Sequence, residues 1–109
     1  MISKQIRQIV HELLQSLPSD IRPVHSYVYG SRARGDAEDY SDLDVLIELR
    51  EDADRTVKNI VREKAWELSL AYGFMISPVV VSEADFEDGP LAHSGFAQNI
   101  HREGIEVAA

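Results

Sequence analysis

The chain contains no cysteine, so disulfide bridges and cysteine-rich zinc sites are excluded, while the redox compartment is left open. It also has no apolar run near the ~20 residues that a membrane-spanning helix needs. The N-terminus, MISKQIRQIV, lacks the pattern of a signal peptide. These absences predict a soluble, cytoplasmic protein that does not associate with a membrane.

Positive charge is also scarce. The chain has 11 basic residues against 19 acidic ones and a formal net charge of −8, and it contains no lysine- or arginine-rich block. Stable binding of nucleic acid requires a basic face that releases counterions from the phosphate backbone. We therefore expect no stable nucleic-acid partner.

Length limits the domain organisation. At 109 residues we expect one domain, 1–109, with a modest core and little room for a separate substrate domain. A chain of this size cannot cover all of its apolar surface, so we expect it to form a homo-oligomer or to pair with a helical protein.

Hydrophobic periodicity predicts an α/β (α+β) fold, a small mixed β-sheet with flanking helices. Helices are expected at 3–17, from about 57 to a stop at Gly73, and at about 90–103. Strands are expected at 24–29, 42–49 and 74–81, with 105–107 a short strand or tail. Since Pro78 cannot donate to a β-ladder, the strand 74–81 is predicted to lie at a sheet edge.

A tight turn follows the first predicted strand. Gly30 lets a phosphate approach the backbone, and the Ser31 hydroxyl can donate to a phosphate oxygen. The backbone N–H groups at the start of the short helical turn that follows are suited to anions. Arg32 and Arg34 add positive charge. We predict that these four residues bind the phosphates of a nucleotide.

Two carboxylates follow ten residues after the Gly-Ser pair. Alternation along a strand places Asp42 and Asp44 on one face while Leu43 and Val45 turn into the core. Two adjacent carboxylates repel unless a cation lies between them, and Mg²⁺ prefers carboxylate, phosphate and water oxygens. Asp42 and Asp44 are therefore the predicted metal ligands and catalytic residues.

Ser41 directly precedes the acidic pair and is included among the nucleotide-site residues. Its hydroxyl can hold a carboxylate in position, or it can simply cap the loop as a turn serine. Both alternatives stay open from the sequence.

At these residues the chain resembles the nucleotidyltransferase superfamily of DNA polymerase beta, in particular its single-domain, minimal nucleotidyltransferase branch. Gly30, Ser31, Asp42 and Asp44 match the family's Gly-Ser, ten-residue spacer and Asp-x-Asp pattern, with the common Ala-Arg-Gly continuation at 33–35. The resemblance implies the fold of that superfamily and a site for a nucleoside triphosphate, expected to be ATP, with Mg²⁺.

The family pattern also has a third carboxylate on a later strand, which helps to position a second metal and takes the proton of the attacking hydroxyl. The segment 74–81 contains no acid, and Glu83 and Asp85 lie beyond its expected end. Ser77 is the one polar residue inside this apolar run, so we predict that it faces the site. An alcohol is a poor general base at neutral pH.

The resemblance implies a biological role. Stand-alone members of this branch commonly act as antitoxins that transfer AMP from ATP to a tyrosine of a helical HEPN ribonuclease toxin. Two alternatives remain: a domain of the same fold that blocks the toxin by contact alone, and a small-molecule nucleotidyltransferase of the aminoglycoside type. Chain length argues against the last, since such enzymes tend to need an added domain.

Other residues are expected to be structural. Trp66 is predicted to be a partly buried packing residue and not a nucleotide-stacking platform. Tyr40 could cover a nucleotide base or lie on the surface. Four histidines lack metal-ligand spacing and are expected at the surface or in packing contacts: His11, His25, His93 and His101.

Overall fold

The computed structural model describes residues 2–38 and 41–107; Tyr40 lies outside these ranges, and its role stays a prediction. The helices are α1 (Lys4–Gln15), α2 (Ser31–Arg34), α3 (Arg55–Tyr72) and α4 (Gly95–Glu103). The strands are β1 (Pro23–Tyr29), β2 (Leu43–Leu49), β3 (Ile76–Ser82) and β4 (Ile105–Glu106). A π-helical turn (Ala84–Asp88) and a 3₁₀ turn (Pro90–His93) precede α4.

Capping side chains mark the starts of the two long helices, and a glycine marks the end of α3. The side chain of Ser3 accepts a hydrogen bond from the Ile6 N–H at the start of α1, and Asp54 caps α3 in the same way. Gly73 ends α3 with φ 80°, a left-handed conformation that glycine adopts without a steric penalty. These boundaries agree with the sequence prediction to within a few residues.

The C-terminal helix differs from its prediction. The segment expected to be one helix from residue 90 is a 3₁₀ turn followed by α4. Ser94 separates the two, because its hydroxyl accepts the Ala97 N–H at 3.1 Å and so starts a new helix. Sequence periodicity also missed the π-helical turn Ala84–Asp88.

The four strands form a mixed sheet in the order β3-β2-β1-β4. β1 runs antiparallel to β2 and to β4, whereas β2 and β3 are parallel. The mixed sheet with flanking helices confirms the predicted fold class. Among the residues described, no helix is long and apolar enough to cross a bilayer.

β3 lies at an edge of the sheet, which confirms the prediction made from Pro78. The Leu43 N–H of β2 donates to the Met75 carbonyl at 2.8 Å, and the Ile76 N–H turns away from β2 to donate to the Ser69 hydroxyl at 2.9 Å. Pro78, two residues further, occupies the same outward side and has no N–H to offer. This edge is therefore poorly suited to pairing with another strand.

Two apolar layers cover the two faces of the sheet. The larger joins α1 and α3 to the inward residues of β2, among them Val45 and Ile47. The smaller lies on the opposite face, where Phe86 of the π-helical turn and Ile100 of α4 pack on Leu46. Asp44, Leu46 and Glu48 alternate with the residues of the larger layer, so they share the face covered by the smaller one.

One packing prediction is wrong. Trp66 is 53% exposed on α3, and Leu70, one turn later, is 67% exposed. Periodicity places both residues on a helix but does not say which side of that helix the sheet covers. Met75, 43% exposed, precedes β3. We call Trp66 and Leu70 the α3 apolar patch.

Candidate active site

The predicted phosphate turn packs directly against one of the predicted metal ligands. Gly30 has φ 74°, and a Cβ atom built on it would lie 2.6 Å from Oδ2 of Asp44. A side chain at position 30 would force the Asp44 carboxylate to move. The absence of a side chain at position 30 therefore allows the backbone of the turn and the carboxylate of Asp44 to meet.

The residues after Gly30 form α2, a single helical turn. The N–H groups of Ala33 and Arg34 donate to the Gly30 carbonyl at 3.1 and 3.0 Å. Ser31 is the first residue of this turn, where backbone N–H groups have no acceptor inside a helix. The helical turn predicted after Gly30 is thus present. Phosphate binding by Gly30 and Ser31 stays a prediction.

The two acids lie at the start of β2. Asp42 precedes the strand and is exposed, whereas Asp44 is partly buried within it. Burial raises the pKa of the Asp44 carboxyl, the negative charge of Asp42 raises it further, and the charge of Arg34 lowers it. The two carboxylates are therefore close enough to repel, and a divalent cation between them would relieve that repulsion.

Asp44 stands in the centre of a row that crosses three strands. Its Cα partners are Tyr29 on β1 and Ser77 on β3. The predicted orientation of Ser77 is confirmed by this register, because it places Ser77 on the same face as Asp44. Burial, followed by the charge of Asp44, raises the pKa of Tyr29 to about 12, so Tyr29 is neutral at physiological pH.

No other acid of the described residues completes a three-carboxylate centre. Glu83 follows the last residue of β3, and the Asp85 N–H donates to the Ser82 hydroxyl at 3.1 Å. Ser82 lies five positions after Ser77, which is about 17 Å along the strand. Within ranges 2–38 and 41–107, no three or more His, Cys, Asp and Glu side chains converge as metal ligands. A Mg²⁺ ion on Asp42 and Asp44 would need phosphate and water oxygens as its remaining ligands.

Arg32 joins three segments around the site. Its guanidinium donates to the Ser41 carbonyl at 2.7 Å and lies 4.8 Å from the centre of the Phe74 ring. It thereby connects α2 to the loop before β2 and to the segment before β3. These contacts place Arg32 as a brace. Its predicted contact with a phosphate is a separate role that these contacts do not test.

Arg34 and Ser41 make local contacts. Nε of Arg34 donates to the Asp36 carboxylate at 3.3 Å, and its charge reaches Asp44, whose pKa it lowers. The Ser41 hydroxyl accepts the Glu38 N–H at 2.9 Å. That contact matches the loop-capping alternative for Ser41.

The sequence analysis did not identify two residues that lie in this region. Tyr29 lies beside Asp44 and its ring meets Phe96 of α4 edge to face, with 5.6 Å between ring centres. The Phe74 ring stacks against the Arg32 guanidinium. Tyr29 could have been found from its position directly before Gly30. Phe74 could not, since its partner lies 42 residues away in the sequence.

The comparison with protein families agrees with this geometry. The model of the nucleotidyltransferase domain family matches residues 3–96, and the chain belongs to that family. Nucleotidyltransferases generally use a divalent metal ion; that Asp42 and Asp44 hold it in this chain stays a prediction.

Two relatives come from Methanocaldococcus jannaschii. The chain is 28% identical over 105 residues to the protein named "Putative protein adenylyltransferase MJ0141", with 94% of this chain and 99% of that protein covered. It is 30% identical over 89 residues to MJ1305, which carries the same functional name, with 78% of this chain and 60% of that protein covered.

Solved structures show the same fold. A "toxin-antitoxin with AMP-PNP" superimposes with a TM-score of 0.67 at 16% identity, covering 94% of this chain and 73% of the other. The "toxin-antitoxin MntA-HepT" superimposes with a TM-score of 0.61 at 14% identity, covering 98% and 73%. At such low identity the likeness establishes the fold alone.

Proposed function

We propose that this chain binds MgATP and transfers AMP to a tyrosine of a partner toxin, which it thereby neutralises as an antitoxin. The observation that carries the proposal is the packing of the Gly30 turn against Asp44, with Asp42 two residues away. Phosphates held at this turn would lie beside the carboxylates that can hold their counterion.

In this proposal, one pair of residues binds phosphate and the other pair binds the metal ion. Gly30 and Ser31 hold phosphate oxygens, and Asp42 and Asp44 would hold Mg²⁺, which neutralises phosphate charge and helps to align the reacting groups. The tyrosine oxygen of the partner forms a bond to the α-phosphorus while the bond to the pyrophosphate oxygen breaks. The phenolic proton passes to water, because the described structure has no carboxylate beside Asp44 on β3.

The acceptor and partner are supported by the comparisons. Two relatives that match most of this chain carry the name "Putative protein adenylyltransferase", and two structures of the same fold are toxin-antitoxin pairs, one of them with AMP-PNP. A tyrosine acceptor on a HEPN-type toxin follows from the family resemblance of the Gly-Ser and Asp-x-Asp pattern. Substrate and partner are therefore part of the proposal.

A second function is favoured by one observation. Ser77 stands in register with Asp44 where a third carboxylate would act as the base. A domain with this substitution could inhibit its toxin by contact alone. AMP transfer is the first proposal because positioning and charge neutralisation supply most of the rate in such reactions.

The experiment co-expresses the chain with the product of the neighbouring gene and supplies ATP labelled at the α-phosphate. We expect the label to appear on a tyrosine of the partner with the parent chain, and to be lost with Asp44→Asn. Asp52→Asn is the matched control, since Asp52 is an exposed acid beyond the end of β2. Inhibition of the toxin without any label would refute AMP transfer and support inhibition by contact.

A further inference from the structure

Glu48 is a glutamate buried in the middle of the sheet. The residue has an exposed fraction of 0%, and no N–H or hydroxyl donor of the described residues reaches either carboxylate oxygen. An ionised carboxylate without donors is strongly disfavoured in such a place, whereas the neutral acid is tolerated. Its position four residues after Asp44, about 13 Å along β2, separates it from the candidate active site.

Charged groups of β1 and of the segment that follows β3 lie around Glu48. In register on β1 is His25, whose Nδ1 lies 2.5 Å from the Glu106 carboxylate of β4. After burial, the largest influence that raises the pKa of Glu48 comes from Glu87 in the π-helical turn, through its charge and a side-chain hydrogen bond between the two carboxyl groups. Two carboxyl groups can form such a bond only if one of them carries a proton.

Burial and neighbouring charges explain why Glu48 keeps its proton to a higher pH than an exposed glutamate. Burial raises the pKa of Glu48 to about 7, with further contributions from the charge of Glu87, their hydrogen bond and the charge of Glu83, while the charge of His25 opposes them. The neighbouring titratable groups, taken together, are His25 and Tyr27 on β1, Glu106 on β4, Glu83 and Glu87 at the π-helical turn, and His101 on α4.

Glu87 also contacts α4, in the layer above Glu48. His101 of α4 lies 3.8 Å from the Glu87 carboxylate and 4.8 Å, between ring centres, from the buried Phe86. Glu87 thus links the π-helical turn to α4 on one side and to Glu48 on the other. A second negative charge under this layer would push Glu87 away from the sheet.

We propose that Glu48 and Glu87 form a proton-dependent latch that docks the segment 84–103 on the sheet. The latch is closed while the pair holds one proton and loosens when that proton is lost. It needs no nucleotide or partner, so it is independent of the proposed function. It does touch the same layer, because Phe96 of α4 packs on Tyr29 beside Asp44.

The direction of the pH dependence follows from the two states. The unfolded chain releases the Glu48 proton near its ordinary pKa of 4.5, whereas the folded chain keeps it to about 7. Stability is therefore lost as the pH rises through this interval. The pKa of His25 is also raised, first by its hydrogen bond to Glu106, so the stabilisation from protonated His25 is lost in the same direction.

Hydrogen exchange on the intact chain tests the latch. After correction for the intrinsic rates, we expect the amides of 84–103 to lose at least severalfold of their protection between pH 6 and pH 8.5, relative to α1. Glu48→Gln keeps the volume and supplies a permanent donor to Glu87, so its protection should change no more than that of α1. Glu63→Gln, an exposed glutamate of α3, is the control and should behave as the parent.

Carbon-13 NMR of glutamate-labelled parent chain gives a second test that needs no variant. We expect one side-chain carboxyl to titrate near neutral pH and its signal to be missing from Glu48→Gln. Exchange protection of 84–103 that is equal at both pH values, pH-dependent loss that persists in Glu48→Gln, or no glutamate titrating above pH 6 would each overturn the proposal.

Discussion

Asp44 and Ser77 are Cα partners on the parallel strands β2 and β3, so their side chains leave the same face of the sheet at neighbouring positions. Adjacent strands lie about 4.8 Å apart. A carboxylate at position 77 would therefore stand beside the carboxylate of Asp44, where a third ligand and base is useful.

Ser77→Asp is expected to speed AMP transfer. A positioned general base contributes about 10²–10⁴-fold to such reactions, and we expect a gain of at least ~10-fold because the parent chain lacks this base. Single-turnover labelling with saturating ATP measures it. Ser82→Asp is the control: it lies in the same strand at its far end and should give no gain. Equal rates for the parent and Ser77→Asp would show that two acids suffice.

Removal of both acids should abolish metal-dependent nucleotide binding. Asp42→Asn with Asp44→Asn keeps the side-chain volumes and removes the charges that attract Mg²⁺. Calorimetric titration of ATP with and without Mg²⁺ should show metal-dependent binding for the parent and none for the double variant. If the double variant binds MgATP as tightly as the parent, the metal site lies elsewhere.

Gly30→Ala should impair nucleotide binding beyond its effect on folding. Its Cβ would meet Oδ2 of Asp44 at 2.6 Å, whereas a Cβ on Gly73, which also has positive φ, meets nothing within 4 Å. Each substitution imposes backbone strain of about 1–3 kcal/mol. Thermal unfolding should therefore fall in both variants, while MgATP affinity falls only in Gly30→Ala. Equal affinity losses would contradict the contact between the turn and Asp44.

Arg32 can be tested as a brace against its predicted role as a phosphate ligand. Lysine keeps the charge but not the flat guanidinium that stacks on Phe74 while it donates to Ser41. If bracing is the main role, Arg32→Lys and Arg32→Gln should lose similar amounts of MgATP affinity, roughly 10-fold or about 1.4 kcal/mol. Retention of affinity by lysine alone would favour direct contact with phosphate.

The α3 apolar patch offers an exposed apolar surface for the predicted self-association or pairing. Trp66 and Leu70 are more than half exposed. Leu70→Lys would place a positive charge beside Trp66, within the surface that a partner would cover. We expect light scattering to show a species larger than one chain for the parent or its co-expressed complex, and dissociation in Leu70→Lys. Arg55→Lys at the other end of α3 is the control. A monomeric parent without a co-purifying protein would contradict the prediction.

Local sequence determined much of this protein. The caps at Ser3 and Asp54, the stop at Gly73 and the alternation of β2 are signals between near neighbours in the chain, and they predicted most helices and strands. The missing backbone N–H of Pro78 predicted that β3 lies at a sheet edge. The Gly-Ser and Asp-x-Asp spacing led to the family that the comparison then established.

Tertiary structure decided what depends on distant residues. Trp66 was expected to pack and is exposed, because only the docking of α3 on the sheet selects which side of the helix is covered. The predicted contact of Arg32 with phosphate stays a prediction, whereas its contacts with Ser41 and Phe74 join separate segments and could be seen only in the structure. Glu48 shares the parity of Asp44, and only the packing of the π-helical turn and α4 leaves one acid buried and the other beside an open turn.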